Sequence, residues 1–293
     1  MEEITPLTAV SPRPLMTASL RLCTWNIEFG LQLDAIVSAV KSCADFAGID
    51  MLALQEASIH DGVEDGRVIA QALGSQYEYY QMAAQRVNGR VQANALIWNV
   101  DCVRVETRSS VKLPQRHEVK LSHAERLFLR AIPLQHRISL VVEARVATGA
   151  RPAAPARQPL EDVGPEADKL VRIYVAHLDV MGYELKRQQF HYILEDAQKR
   201  PAADLSVIAG DLNTFRLFRA RPSWQQLEDA ANAVGFREIT TEILWTRSES
   251  NGRLKQKLDA IFIQQPRSVP YRSWSLEIPG SDHIPVFAEL RLE

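Results

Sequence analysis

The sequence predicts a layered α/β protein. Short apolar runs of strand length alternate along the chain with segments whose apolar residues recur at helical spacing. No segment repeats another at a fixed period, so a solenoid or propeller is not expected. Hydrophobic residues make up 46% and charged residues 24% of the 293, an ordinary globular balance that allows a sizeable core.

Taken in order, Leu20 to Ile27 reads as a strand. Residues 33–46 carry Leu33, Ile36, Val37, Val40 and Ala44, the spacing of an amphipathic helix. Met51 to Leu54 is a compact apolar strand, and 66–74 a short helix. Strand-like runs follow at 77–83, 94–100, 103–107, 126–134, 138–146 and 170–176. Residues 183–199 place Phe190, Ile193, Leu194 and Ala197 on one helical face. Leu205 to Ala209 is a buried strand. Residues 223–235 form a helix stopped by Gly235, since glycine readily takes the left-handed conformation that ends helices. The last strands fall at 258–263 and 285–292.

Two stretches break this rhythm. Residues 1–19 read as a loose tail, and 147–168, rich in Ala, Pro and Arg, as a surface insertion between strands. The expected organisation is one domain over 20–293. The tail has no basic stretch leading into an apolar run, so no signal peptide is expected. No stretch reaches the ~18 apolar residues of a membrane span. Cys23, Cys43 and Cys102 form no Cys-x-x-Cys pair, which argues against a disulfide framework or zinc site and for a reducing, cytoplasmic setting. The net charge of −2 lacks the basic excess of a dedicated nucleic-acid binder, although 34 Lys and Arg leave room for a local basic face. A monomer is expected.

The informative residues are those that end the apolar strands. Leu20–Trp25 ends on Asn26, followed by Ile27 and Glu28. Met51–Leu54 ends on Gln55 and Glu56, Val171–Ala176 on His177, and Leu205–Ala209 on Gly210, Asp211, Leu212 and Asn213. Ser281, Asp282 and His283 directly precede Ile284–Leu290. One polar residue at a strand end usually caps the strand or meets water. A whole set of carboxylates, amides and imidazoles at such ends suits a cleft, because rigid elements hold their side chains around a shared point. Hard oxygen donors at Glu56, Asp211 and Asp282, with Asn26 and Asn213, suit Mg²⁺ or Mn²⁺ better than zinc. His177 and His283 can transfer protons or stabilise negative charge. Phosphate ester hydrolysis needs that mixture of cation, water-activating carboxylate and charge-stabilising donors.

These motifs occur in a telling order: Thr24-Trp25-Asn26-Ile27-Glu28, Leu54-Gln55-Glu56, Gly210-Asp211-Leu212-Asn213, Leu258-Asp259-Ala260-Ile261-Phe262 and Ser281-Asp282-His283. The set resembles that of the endonuclease/exonuclease/phosphatase (DNase I-like) superfamily, over about residues 20–292. The resemblance implies an α/β/β/α sandwich of two mixed β-sheets flanked by helices, with the site at one edge. It implies that Glu56 binds the metal with Asn26 close by and Asp282 beside it. Asp211 would orient or activate the attacking water, and Asn213 would hold the phosphate. His283 would contact the scissile phosphate, oriented by Asp259. His177 occupies the position where many members have a His-Leu pair and abasic-site endonucleases have Tyr, which argues against a typical abasic-site enzyme.

Weaker candidates surround this set. Asn94, in Ala93-Asn94-Ala95, resembles a Gly-Asn-Ala segment that positions phosphate, with Ala in place of Gly. Arg126 and Arg187 can offer bidentate contacts to phosphate, yet a solvated face is the plainer reading of each. Trp245 could stack on a base or belong to the core. The expected function is metal-dependent hydrolysis of phosphodiesters, with nucleic acid as the leading substrate. The alternative is a small phosphorylated metabolite or phospholipid headgroup, and the third reading is an inactive binding scaffold.

Overall fold

Strand β1 (Ser19–Asn26) shows how the layers arise. Side chains alternate across a strand, so Leu20 and Leu22 point to one buried cluster while Cys23 and Trp25 point to another. Both faces are apolar, which requires cover on both sides. In the computed structural model the described residues are 19–87, 89–130, 134–147, 168–214, 222–249, 254–265 and 270–292.

After β1 come α1 (Leu33–Ser42), β2 (Met51–His60), β3 (Val63–Glu64), α2 (Asp65–Leu73), β4 (Tyr77–Val87), β5 (Arg90–Asn99) and β6 (Val103–Lys112). Next are α3 (His123–Leu129), β7 (Ile138–Ala147), β8 (Asp168–His177), α4 (Tyr183–Lys199), β9 (Leu205–Asp211) and α5 (Pro222–Ala233). The chain continues through β10 (Arg237–Glu238), β11 (Arg247–Glu249), β12 (Leu254–Gln256), β13 (Asp259–Gln264), β14 (Tyr271–Ser275) and β15 (Val286–Arg291).

One sheet runs β14-β15-β1-β2-β5-β4, with β3 on β2, and the other β10-β13-β9-β8-β7-β6. Both are mixed: β1–β2 and β8–β9 are parallel, and their other pairings antiparallel. Between the sheets lies a layer including Leu22, Met51, Leu96 and Trp98 from the first and Leu140, Ile173, Val207 and Ile261 from the second. The outer face of the first sheet packs on α1 and α2 through Ile36, Val40 and Ile69. The outer face of the second packs on α4 and α5 through Phe190, Ile193, Trp224 and Leu227. This is the expected α/β/β/α sandwich. Burying each such side chain contributes about 1.5–3 kcal/mol, so the central layer is the main source of stability.

Several boundaries differ from the sequence reading. The helix expected over 33–46 ends at Ser42: Cys43 is extended and 44–46 form a separate 3₁₀ turn. The strand expected over 126–134 is helix α3 instead, with 131–133 outside the described residues. Its Ser122 hydroxyl accepts the Glu125 N–H at 3.2 Å, so Ser122-x-x-Glu125 caps a helix that the apolar run alone disguised as a strand. Gly235 follows α5 with φ +83°, and Phe236 N–H returns to Ala231 O at 2.9 Å, the expected helix stop. The tail expected over 1–19, apart from Ser19, and the insertion expected over 147–168, apart from its end residues, lie outside the described residues. Among the described residues no helix is long and apolar enough to cross a membrane.

Candidate active site

Strand register assembles the site. In the second sheet His177 lies opposite Asp211, and Asp211 opposite Asp259, so β8, β9 and β13 present imidazole, carboxylate and carboxylate in one row. In the first sheet the pairing of β1 with β2 ends at Asn26, opposite Gln55, while β2 runs on to His60. Gly210 lets the row close. Its φ is +152°, and a Cβ there would lie 1.9 Å from Ala176 O, so any side chain would push β9 off β8 and displace Asp211.

Asp211 is the buried hub. Its Oδ2 accepts Asn26 Nδ2 at 3.0 Å, and its Oδ1 accepts the Asn213 N–H at 2.8 Å. His177 Nε2 is 3.7 Å and His283 Nε2 3.9 Å from the same Oδ2. His283 is fixed through its other nitrogen, with Nδ1 2.7 Å from Asp259 Oδ2. Its backbone is also held: Trp25 Nε1 donates to His283 O at 3.0 Å, and His283 N–H donates to Ser281 Oγ at 3.1 Å. Asn213 has φ +50° and donates Nδ2 to Leu178 O at 3.0 Å, which ties the Asp211 turn to the strand end bearing His177.

Glu56 reaches the site through a β-bulge. Pairing of β2 with β5 slips between Leu54 and Ala57, and Glu56 takes φ +53°. One inserted residue explains how Leu54 and Ala57 both face the helix-side core while Glu56 turns away from it. Its Oε1 lies 3.6 Å from His177 Nε2.

Behind His177 stands Arg137, a buried cation absent from the sequence reading. Its Nη1 lies 2.8 Å from His177 Nδ1 and 3.1 Å from Nε2, and its Nη2 donates to Gln135 Oε1 at 2.6 Å. Arginine can only donate, so His177 accepts and its ring is neutral there. Glu28 was also unassigned. It follows Asn26 at φ +48°, its N–H donates to Asn26 Oδ1 at 3.0 Å, and its carboxyl lies in the field of Asp282 and His283. Arg247 Nε donates to Asp282 Oδ2 at 2.7 Å.

Burial raises the Glu56 pKa to about 7, with Arg137 opposing and Asp211 adding to the rise. Burial and then Asp259 raise Asp211 to about 6. Burial alone would lower His283, but Asp259 and Asp211 outweigh it and hold it at about 9. Burial, then the charge of Arg137, keeps His177 well below its usual range. One histidine is thus charged and the other neutral at pH 7.

The raised carboxyls mark acids that burial strips of water, with neighbouring negative charge adding to the rise. One oxygen of Asp259 is buried without a hydrogen-bond partner, and ligand atoms of Asp211, Asp259 and His283 lie within 4.8 Å of one another. Glu56, Asp282 and Glu28 lie in the electrostatic field of this group, and carboxylate oxygens are the donors that a hard divalent cation takes. Asn26 differs in part from its expected place among the ligands: its amide nitrogen is turned to Asp211 and its oxygen to Glu28 N–H.

Three further expected phosphate contacts are engaged by other partners. Asn94 donates Nδ2 to Ile138 O at 2.9 Å and Val175 O at 3.2 Å, so it clips the sheets together. Arg187 is held by Glu184, with contacts of 2.6 and 2.9 Å. Arg126 lies on α3, with Nη2 donating to Leu121 O at 3.1 Å. Trp245 is only partly buried, and Lys255 Nζ lies 3.7 Å from its ring centroid.

The sandwich is the fold of solved endonuclease/exonuclease/phosphatase proteins. Among solved structures, the chain is similar to an endonuclease/exonuclease/phosphatase from Bacteroides vulgatus, with TM-score 0.65 and 17% identity over 94% of this chain and 99% of that one. It is similar to the mannosyl-6-phosphatase Bt3783 of Bacteroides thetaiotaomicron, with TM-score 0.61 and 14% identity over 92% and 99%. The catalytic domain of human Nocturnin superposes with TM-score 0.60 and 11% identity over 94% of each chain. The sequence matches no family model and no curated protein.

Proposed function

We propose that this chain is a divalent-metal-dependent hydrolase of phosphate esters that cleaves phosphodiesters, with nucleic acid as the leading substrate class. The observation that carries the reading is the surroundings of Asp211: two amide donors fix its carboxylate, and a carboxylate-held imidazole lies 3.9 Å away.

In this reading Asp211 orients a water and accepts its proton as the water oxygen attacks phosphorus. The new P–O bond forms opposite the bond that breaks, without a covalent intermediate. His283, charged through Asp259, donates from Nε2 to a phosphoryl oxygen and stabilises the developing negative charge. Asn213 steadies the phosphate, and His177 stays neutral as a hydrogen-bonding partner at the cluster's floor. Glu56, Asp211 and Asp282 would hold Mg²⁺ or Mn²⁺ with Asn26 close by, and the bound ion supplies positive charge to the phosphoryl oxygens.

The second reading, a small phosphorylated substrate, is supported by the similarity to a sugar-phosphate phosphatase. Hydrolysis of bis(p-nitrophenyl) phosphate and p-nitrophenyl phosphate, with Mg²⁺, Mn²⁺ or EDTA, separates the two. Diester cleavage lost in EDTA and in Asp211→Ala is expected. Cleavage of the monoester alone favours the small substrate, and wild-type turnover in Asp211→Ala sinks the proposed chemistry.

A further inference from the structure

The main-chain ladder between β1 and β2 ends where Ile27 N–H donates to Gln55 O at 2.9 Å. The next residue on each segment is an acid of the candidate site, Glu28 after Ile27 and Glu56 after Gln55. Glu28, Phe29 and Gly30 then take φ of +48°, +56° and +60°, three left-handed residues in succession. Two of them carry side chains, and glycine alone takes that region without steric cost. Such a turn persists where its surroundings over-determine it.

Within the turn, Gly30 N–H returns to Ile27 O at 2.9 Å and Leu31 N–H to Glu28 O at 3.0 Å. From outside, Asp65 fills the space beside Gly30, where a Cβ would lie 2.3 Å from its Oδ2. That same oxygen accepts Ser58 N–H at 2.6 Å. Arg90, the first residue of β5, donates from Nη1 to Phe29 O at 3.0 Å and from the same nitrogen to Ser58 Oγ at 3.4 Å. Burial raises the Asp65 pKa, and Arg90 is among the groups that oppose the rise. One guanidinium thus ties the carbonyl one residue past Glu28 to the hydroxyl two residues past Glu56. The turn is also joined to the loop that bears His283. The Glu28 carboxyl accepts Asp282 N–H, and Ser281 Oγ donates to Asn26 O at 2.7 Å. A shift of the turn is therefore passed to Asn26, Glu28 and Asp282.

We infer that Arg90 is a positioning residue of the site: it locks the left-handed turn at Glu28–Gly30 against β2 and so fixes the spacing of Asn26 and Glu28 from Glu56. Its effect on activity rests on the divalent-metal hydrolase reading, while the lock itself is measurable without metal.

Amide hydrogen exchange of the full chain is measured by NMR in EDTA, for wild type and Arg90→Met. Exchange at Gly30 and Leu31 is expected to be roughly tenfold faster in the variant, beyond any change at the β8 amides, the scale of losing one charged hydrogen bond. Phe29→Gly added to Arg90→Met slows it again, because glycine takes φ +56° without steric cost and the turn then needs no clamp. A residue that supports the fold at large gains nothing from that glycine. Unchanged exchange in Arg90→Met, or no recovery with the glycine, overturns the inference. In a second arm Mn²⁺ binding is followed by its electron paramagnetic resonance signal. Removing a positive charge would by Coulomb attraction alone tighten cation binding. The lock predicts the opposite: Mn²⁺ binds about tenfold more weakly to Arg90→Met, the scale of losing an outer support of a metal site. In the same variant kcat for bis(p-nitrophenyl) phosphate falls with KM little changed. Arg86→Met, at an exposed position of the same hairpin, binds as wild type. Equal or tighter Mn²⁺ binding in Arg90→Met overturns the positioning role. Should Arg90→Met not fold, Arg90→Gln carries the same expectations. Absence of Mn²⁺ binding in the wild type counts against the metal reading, and the exchange measurement then decides the lock alone.

Discussion

His283 Nδ1 lies 2.7 Å from Asp259 Oδ2, both groups buried, and this contact sets the charge of the imidazole facing Asp211. Burial pushes the His283 pKa down, Asp259 pushes it up harder, and it stands at about 9. A folded pKa above the unfolded value of about 6.5 contributes stability that is fully present below pH 6.5 and lost as pH rises through 9. Activity should therefore fall on an alkaline limb near pH 9. Asp259→Asn should lower kcat roughly 10²-fold, the scale of losing one transition-state donor, and move that limb to lower pH. A pH–rate profile of the variant with an unmoved limb would show that Asp259 does not set the charge of His283.

Glu56 and Asp211 give the opposite sign. Their folded pKa values, about 7 and about 6, lie above ordinary carboxyl values. The metal-free native state thus binds more protons than the unfolded chain between about pH 4 and 7, and its stability falls as pH rises through that window. A divalent cation should reverse this. Mg²⁺ at a hundred times its Kd adds about 2.7 kcal/mol, and the gain in Tm over EDTA should be larger at pH 8 than at pH 5. Calorimetry in buffers of different ionisation enthalpy should also register protons released on binding. Equal Tm gains at both pH values would separate metal binding from these carboxyls.

Gly210 carries a structural prediction. A Cβ would lie 1.9 Å from Ala176 O, and the backbone is at φ +152°. Relief requires β8 and β9 to part next to Asp211, so Gly210→Ala should cost roughly 3 kcal/mol or more, the range of severe steric substitutions. Activity should fall further than the loss of folded protein explains. Urea unfolding with coincident stability for variant and wild type would refute the close-approach account.

The strand ends were legible because apolar runs are read by period, and each run broke on a residue that does not belong in a core. Asn26, His177 and Asp211 stand where that break occurs. Glu56 was legible by type, while the bulge that aims it was not, because a one-residue slip depends on pairing with β5 rather than on local pattern. The surroundings of Asn94 were not legible, because its partners Ile138 and Val175 are 44 and 81 residues away. The Ser122-x-x-Glu125 box is the sequence signal for α3 that the apolar run Leu127-Phe128-Leu129 hides. Arg137 carries no motif: it precedes a strand, and only the fold delivers it to His177.

That unsignalled arginine permits the most discriminating test of the cluster's electrostatics. Arg137 is buried, contacts both ring nitrogens of His177, and is the leading influence lowering the Glu56 pKa. Arg137→Met keeps much of the apolar bulk and removes the cation. Glu56 should then hold its proton to higher pH, so the acid limb of activity moves up. His177 loses its donor and orientation, and kcat should drop at least about tenfold, the cost of losing a charge-assisted hydrogen bond. Removing one partner from a buried charged cluster also destabilises, by about 3–5 kcal/mol, so each rate is referred to folded protein. Arg137→Lys restores a point charge without the fork that spans His177 and Gln135, and should recover the acid limb more fully than kcat. An acid limb unchanged in both variants would mean that Arg137 only fills space beneath His177.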